Sequence, residues 1–348
     1  MKTHLSEFDF ELPTDLIAQK PLQKRGHSRL LVVDRKNNTL FHDIFSNLDQ
    51  YLSFRPLMVF NNTQVIPAKI FGFLPNNGKI VEMILVRPIS CSTWEVLMKG
   101  KIKPETKLAF LESRLTGKFI KRNAEYAVIE FSPESVLESY LKNHGRMPLP
   151  PYICRKNDDS PFTRKEDNVR YQTVYASQRG AIAAPTAGLH FTKTHLKMLK
   201  AKKIEMVHLT LHVGPGTFKP IRTEDFSKHE MEPEFFRITP KNWNKIYESK
   251  NKGQSILAVG TTSTRVLETQ EFKNRVRGTQ SGWTNCFITP GWDFNNVDHL
   301  LTNFHLPKST LFLLVSAFCG KALAEMAYKE AISKKYRFYS YGDAMLVL

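Results

Sequence analysis

Eleven residues in the middle of the chain, AIAAPTAGLHF (181–191), carry four alanines, one glycine, one histidine and no charge. Such a run packs as a buried tight turn, or it floors a pocket where backbone comes close to a ligand, with His190 at its end. In VHLTLHVGPGTF (207–218), strand alternation puts Leu209, Leu211 and Val213 on one side and His208, Thr210 and His212 on the other. Two imidazoles and a hydroxyl then share a face ahead of the turn Gly214-Pro215-Gly216; a half-exposed strand with solvated histidines gives the same pattern. LLTNFHLPKST (300–310) ends an apolar strand on Asn303, Phe304 and His305, where α/β proteins hold ligands, although a packed core histidine reads alike. ILAVGTTSTRVLE (256–268) is a strand, a turn and a helix start. Free N–H groups there, with Thr261, Thr262 and Arg265, suit a carboxylate, phosphate or ribose; hydroxyl capping of the helix is the plainer account. Imidazole that stays neutral near pH 7 is suited to general acid–base work. Metal chemistry has less support, since neither HExxH nor a cysteine pair accompanies His208 and His212.

The elements that must position these residues fall into two textures. SRLLVVD, a short second strand, a helix near 46–53 and LMVF open the chain. From about residue 65 come KIFGFL, the turn PNNG, KIVEMILVR, WEVLMKG, KLAFL, LTGKFIK and EYAVIEF, with almost no helix before 133–143. Six short strands with such turns predict a small closed barrel. GRMPLPPYI (145–153) reads as its rigid exit and KNDDSPFTRKEDN as a polar loop. After these, strand-like VYA, helix FTKTHLKMLKAKK, strand IEMVHLTLHV, helix NWNKIYESK, strand SILAV and helix TRVLETQ alternate, which predicts helices packed on the faces of a sheet. A last helix is expected over about 310–333, capped by Ser309, with Leu311, Leu314, Val315 and Phe318 on one face. The expected fold is therefore an α/β main domain, 1–64 and 156–348, with an inserted small all-β barrel domain, 65–155.

Fifty Lys and Arg against 33 Asp and Glu leave a net charge of +17 over 348 residues. This excess points to a polyanionic partner. Lysines concentrate in 99–107, 193–203 and 241–252; singly each reads as a solvated face, and together they can track a phosphate backbone. Four scattered cysteines, an acidic start and an apolar run, STLFLLVSAFCG, too short to span a bilayer predict a reduced, cytoplasmic protein without a membrane partner.

In order along the chain, FDFELPTDLIAQ, VFNNTQVIPAKI, GRMPLPPYI, RYQTVYA, AAPTAGLHF, LTLHVGPGTF, AVGTTSTRVLE, VDHLLTNFHLPKSTLFLLVSAF and YRFYSYGDAM resemble the S-adenosylmethionine:tRNA ribosyltransferase-isomerase family of queuosine biosynthesis. The inserted region, about 70–140, matches least. HEMEPEF has Glu232 where a second histidine is common. The resemblance implies that the ribosyl part of S-adenosylmethionine passes to a 7-aminomethyl-7-deazaguanine at the wobble position of tRNA. Adenine and methionine leave, and the sugar recloses as an epoxycyclopentane, giving epoxyqueuosine. S-adenosylmethionine is then a ribosyl-donor substrate, no metal or other cofactor is implied, and a monomer is expected. A sulfonium acidifies the adjacent 5′ carbon, so a base can remove its proton; adenine leaves more readily when protonated. An aromatic face suits the cationic sulfur, with Phe191, Phe304 and Tyr175 as candidates.

On this reading His190, His212 and His305 converge on one pocket as acid and base. Thr186, Gly188, Phe191, Gly214, Thr261, Thr262, Arg265, Asn303 and Asp343 line it, with Arg265 or a helix start meeting the methionine carboxylate. Carboxylates such as Glu234, Asp298 or Asp343 are the alternative bases. A non-catalytic RNA-binding module would account for the charge and the barrel but not for three neutral histidine motifs. A metal-dependent hydrolase would use His208 and His212.

Overall fold

The computed structural model describes residues 4–100, 102–123, 125–155, 161–218 and 220–348. Its centre is a nine-stranded sheet in the order Gln280–Thr284, Glu234–Ile238, Met206–Leu211, Leu57–Asn61, Ile256–Val259, His299–Asn303, Ala344–Val347, Arg29–Asp34, Thr39–Ile44. The four strands from Met206–Leu211 to His299–Asn303 run parallel. Leu57–Asn61 and Ile256–Val259 are buried along their whole length, as strands covered on both faces must be. Leu57, Val59, Ala258 and Leu300 meet one core, with Phe312, Leu313, Ala324 and Tyr328 from the C-terminal helices. Met58, Phe60, Leu257 and Leu301 meet a second, with Phe45 and Phe191. The period of two thus feeds two cores from single strands.

The insertion is a closed barrel, Tyr126–Ser132, Thr93–Met98, Ile80–Pro88, Lys69–Phe73, Lys107–Phe110, Thr116–Asn123 around the ring. Ile70, Val81, Met83, Leu85, Val96, Leu108, Phe119 and Ile129 fill it, and closure removes the exposed edges that six short strands would otherwise present. The helix Glu134–His144 contributes Leu137, Tyr140 and Leu141 to the same core. The chain then returns by pairing Arg146 with Lys69, so the proline-rich exit is tied to the first barrel strand.

Several elements differ from expectation. The segment expected as a polar loop contains the helix Pro161–Arg170; 156–160 lie outside the described residues. VYA is not a strand: the strand is Gln178–Ala181, parallel to Thr63–Val65. Residues 46–53 form a tight 3₁₀ segment, Phe45–Tyr51. The single last helix is two, Thr310–Cys319 and Lys321–Ser333, bent by 116°. Gly320 at the break has φ +84°, outside the helical region. Three strands with no counterpart in the expected order, Glu234–Ile238, Gln280–Thr284 and Ala344–Val347, complete the sheet. Among the described residues no single helix is long and apolar enough to cross a membrane.

Candidate active site

The tripeptide Asn61-Asn62-Thr63 follows the central strand and grips the end of its neighbour with all three side chains. Buried Asn61 accepts the Leu211 N–H at 3.0 Å and donates to the Leu211 carbonyl at 3.0 Å. Asn62 accepts from the Thr210 hydroxyl at 2.7 Å. The Thr63 hydroxyl lies 2.8 Å from His212 Nδ1 and 3.5 Å from the Gln178 carbonyl. A Thr63 proton directed to that carbonyl would let its oxygen receive an Nδ1–H, the tautomer in which Nε2 of His212 is the basic nitrogen. Burial lowers the His212 pKa below the ordinary 6.5, which keeps the imidazole neutral at pH 7. The backbone of Gly180 passes so close that a β-carbon there would stand 2.8 Å from Cε1 and Nε2 of the ring.

His212 opens into a cavity of about 570 Å³ between the barrel and the edge of the sheet. Arg87, Trp94 and Tyr126 come from the barrel; Gly214, Glu232, Glu234, Phe235 and Trp283 come from the sheet side. Tyr126 donates to Glu232 at 2.6 Å, joining the two walls. Trp94 Nε1 is buried with no hydrogen-bond partner. Behind the sheet wall, Glu234 and Arg265 form a buried ion pair. Glu234 also accepts the Gly214 N–H at 2.8 Å, and Arg265 donates through Nε to the Cys286 carbonyl at 2.9 Å. Its Nη2 is buried and unpartnered.

The expected convergence of three histidines on one pocket does not occur: only His212 of the three lines this cavity. His190 packs on the Phe45 ring at 5.1 Å, bonds Ser28 Oγ through Nδ1 at 2.7 Å, and borders a crevice of about 40 Å³. His305 bonds Thr302 Oγ1 through Nε2 at 2.8 Å. Burial pushes both down to about 3, with Asn303 opposing the shift at His190. Nε2 of His190 and Oδ1 of Asn303 are both buried, and Asn303 is the hydrogen-bonding side chain that opposes the shift at His190. The stretch that ends in His190 is a 3₁₀ segment, Thr186–His190. A β-carbon on Gly188 would stand 2.0 Å from Tyr175 Oη, so the glycine there admits the protein's own tyrosine.

Thr186, Thr261 and Thr262 meet Thr302 and Val213 around a separate small cavity of about 30 Å³, at the carboxyl ends of the parallel strands. Gly214 is in the large cavity. Phe191 and Phe304 are core residues, packed on Phe60 and on Tyr328, and Tyr175 packs on Phe60 at 5.0 Å. Asp343 accepts the N–H groups of Arg29 and Arg337, each at 2.8 Å, and holds the C-terminal turn. Asp298 accepts from Ile256 N at 2.7 Å, at the opposite, amino end of the sheet.

A family model described as queuosine biosynthesis protein matches residues 5–347. The chain belongs to this queuosine biosynthesis family. A relative from Halothermothrix orenii, named S-adenosylmethionine:tRNA ribosyltransferase-isomerase, is 45% identical over 99% of both chains. One of the same name from Staphylococcus haemolyticus is 44% identical over 99% of this chain and 100% of that one. The crystal structure of S-adenosylmethionine tRNA ribosyltransferase from Thermotoga maritima matches with TM-score 0.56 and 32% identity, covering 98% of this chain and 100% of that one. The protein is thus an enzyme of queuosine biosynthesis, with the α/β-plus-barrel fold expected of it.

For this queuosine biosynthesis enzyme, the aromatic wall of the large cavity went unread in the sequence. Trp94 and Tyr126 sit on barrel strands, while Phe235 and Trp283 sit on the two antiparallel strands at the sheet's end. Thr63 was equally silent. The available signal was NNT directly after an apolar strand, where side chains capable of bonding neighbouring backbone replace the ladder.

Proposed function

We propose that this chain is an S-adenosylmethionine:tRNA ribosyltransferase-isomerase acting in the cytoplasm. It would move the ribosyl part of S-adenosylmethionine onto 7-aminomethyl-7-deazaguanine at the tRNA wobble position and release adenine and methionine as epoxyqueuosine forms. The observation that carries this reading is the large cavity, which combines aromatic walls, two carboxylates and a neutral imidazole. A volume of about 570 Å³ is that of a site for one small molecule. Sulfonium is attracted to aromatic faces, and Phe235 and Trp94 offer them. Glu232 adds a carboxylate, oriented by the Tyr126 hydroxyl.

His212 is assigned as the base that takes the proton from the 5′ carbon, through the Nε2 that the Thr63 contact leaves available. Its neutral form is available at pH 7 because burial disfavours the imidazolium. The buried Glu234–Arg265 pair holds the Gly214 turn beside it, so Arg265 acts as a positioning residue in this reading and not as a carboxylate clamp. His190 and His305 are proposed to brace the carboxyl ends of the strands, by their buried bonds to Ser28 and Thr302. The net charge of +17 supports a polyanionic second substrate.

The test is release of adenine from S-adenosylmethionine with tRNA bearing the aminomethyl base, measured for the native protein and for His212→Gln. Adenine release that requires the modified tRNA is expected. Stoichiometric tRNA binding without adenine release would instead make the protein an RNA-binding module.

A further inference from the structure

The rings at the cavity do not stop at its mouth. His212 stacks on Phe235 with centroids 5.9 Å apart and planes 22° apart. Phe235 meets Trp283 edge-on at 5.6 Å. The sheet register produces this row: His212 N–H bonds the Phe235 carbonyl, and Phe235 lies opposite Trp283. The other face of the same strands is core, through Leu211 and Phe236. Trp283 stands on the outermost strand and is 58% exposed. Its indole therefore leaves more than half of its surface in water, where burial of that apolar area would be favourable. In the next row the register puts Thr210 opposite Arg237, and Arg237 opposite Ser281. Arg237 is exposed and makes no ion pair among the described residues.

An aromatic row leading out of a reaction cavity, flanked by an unpaired guanidinium in a chain of net charge +17, has the chemistry of single-stranded RNA. Unstacked bases pile on aromatic faces and the phosphates meet arginine. We propose that this sheet face is the docking platform for the anticodon loop: a base next to the modified nucleotide stacks on Trp283, and Arg237 takes a loop phosphate. The inference rests on the reading that tRNA is the substrate. It adds which surface receives the loop and how the wobble base is led to His212.

The experiment measures affinity of the full chain for tRNA carrying 7-aminomethyl-7-deazaguanine, by fluorescence anisotropy over a series of salt concentrations. Native protein is compared with Trp283→Ala, Trp283→Phe and Arg237→Gln, each checked by thermal melting. Trp283→Ala is expected to weaken binding by roughly 5- to 150-fold with the salt slope unchanged, since stacking contributes about 1–3 kcal/mol per base. Trp283→Phe should restore most of that loss. Arg237→Gln should reduce the slope by about 0.7–0.9, one phosphate contact. Native affinity and slope in both Trp283→Ala and Arg237→Gln would overturn the proposal. So would a native dimer, seen by sedimentation, that Trp283→Ala dissolves, because the exposed edge strand would then serve a second copy. If the native protein neither binds nor turns over this tRNA, the functional reading itself fails; if it turns over normally and only the variants are silent, the platform alone fails.

Discussion

All three of His190, His212 and His305 have a hydroxyl partner, but of the three only His212 faces the large cavity. Its pKa is lowered from 6.5 by burial, so the neutral base persists on the acid side of the ordinary imidazole titration. The acid limb of the kcat/KM profile, which reports the free enzyme, should accordingly be centred below pH 6.5. His212→Gln should abolish this acid limb and slow turnover by about 10²- to 10⁴-fold. An acid limb centred above 6.5 would point to another base. His190 and His305 bear on stability instead. Each has a folded pKa of about 3 against 6.5 unfolded, so protons favour the unfolded chain between those values. Stability is complete above pH 6.5 and is lost as pH falls toward 3. At pH 4 the loss is about 3 kcal/mol for each histidine, and His305→Gln should flatten the fall in melting temperature between pH 6.5 and 4. An unchanged slope would show that the fold tolerates the charge.

At the scale of elements, the cavity proposed as the active site depends on how tightly the strand Gln178–Ala181 lies against the end of Met206–Leu211. Gly180 has φ +149°, and the space a β-carbon would take there is filled by the His212 ring. Gly180→Ala adds a methyl 2.8 Å from Cε1 and Nε2, where the ring must turn away from Thr63. The variant should lose about 1–3 kcal/mol of stability and most of its turnover, with His212→Gln adding little further. Additive effects of the two substitutions would mean that the ring had not moved. The barrel is the other element on which the cavity depends. Tyr126 reaches across from it to Glu232, and Trp94 stands on its wall with an unsatisfied indole N–H. The inserted domain is thus half of the cavity and not an appendage to it.

Over the whole molecule, charge bears on how the proposed tRNA substrate would arrive. An excess of 17 positive charges spread over many lysines and arginines acts as a field more than as a motif. The logarithm of tRNA affinity should fall linearly with the logarithm of salt, by about 0.7 to 0.9 for every phosphate neutralised. Anisotropy titrations at several ionic strengths measure the slope. A slope near zero would assign the charge another purpose.

The amino-acid sequence by itself carried the division into an α/β unit and an inserted barrel, because strand period, turn residues and helix starts are local properties. It also carried membership of the family, and it picked out His212 through the alternation that sets His208, Thr210 and His212 opposite Leu209, Leu211 and Val213. Tertiary structure alone decided which histidine meets a cavity. His190, His212 and His305 look alike in their motifs, yet their surroundings come from chain segments as distant as Ser28, Thr63 and Tyr328. The same holds for Arg265, whose guanidinium reads as a free anion clamp until the strand Glu234–Ile238 places Glu234 against it. It holds also for the aromatic wall, assembled from two barrel strands and two sheet strands. Pairing, burial and ion contacts between segments 31 to 188 residues apart leave no local periodicity, and so only the folded chain discloses them.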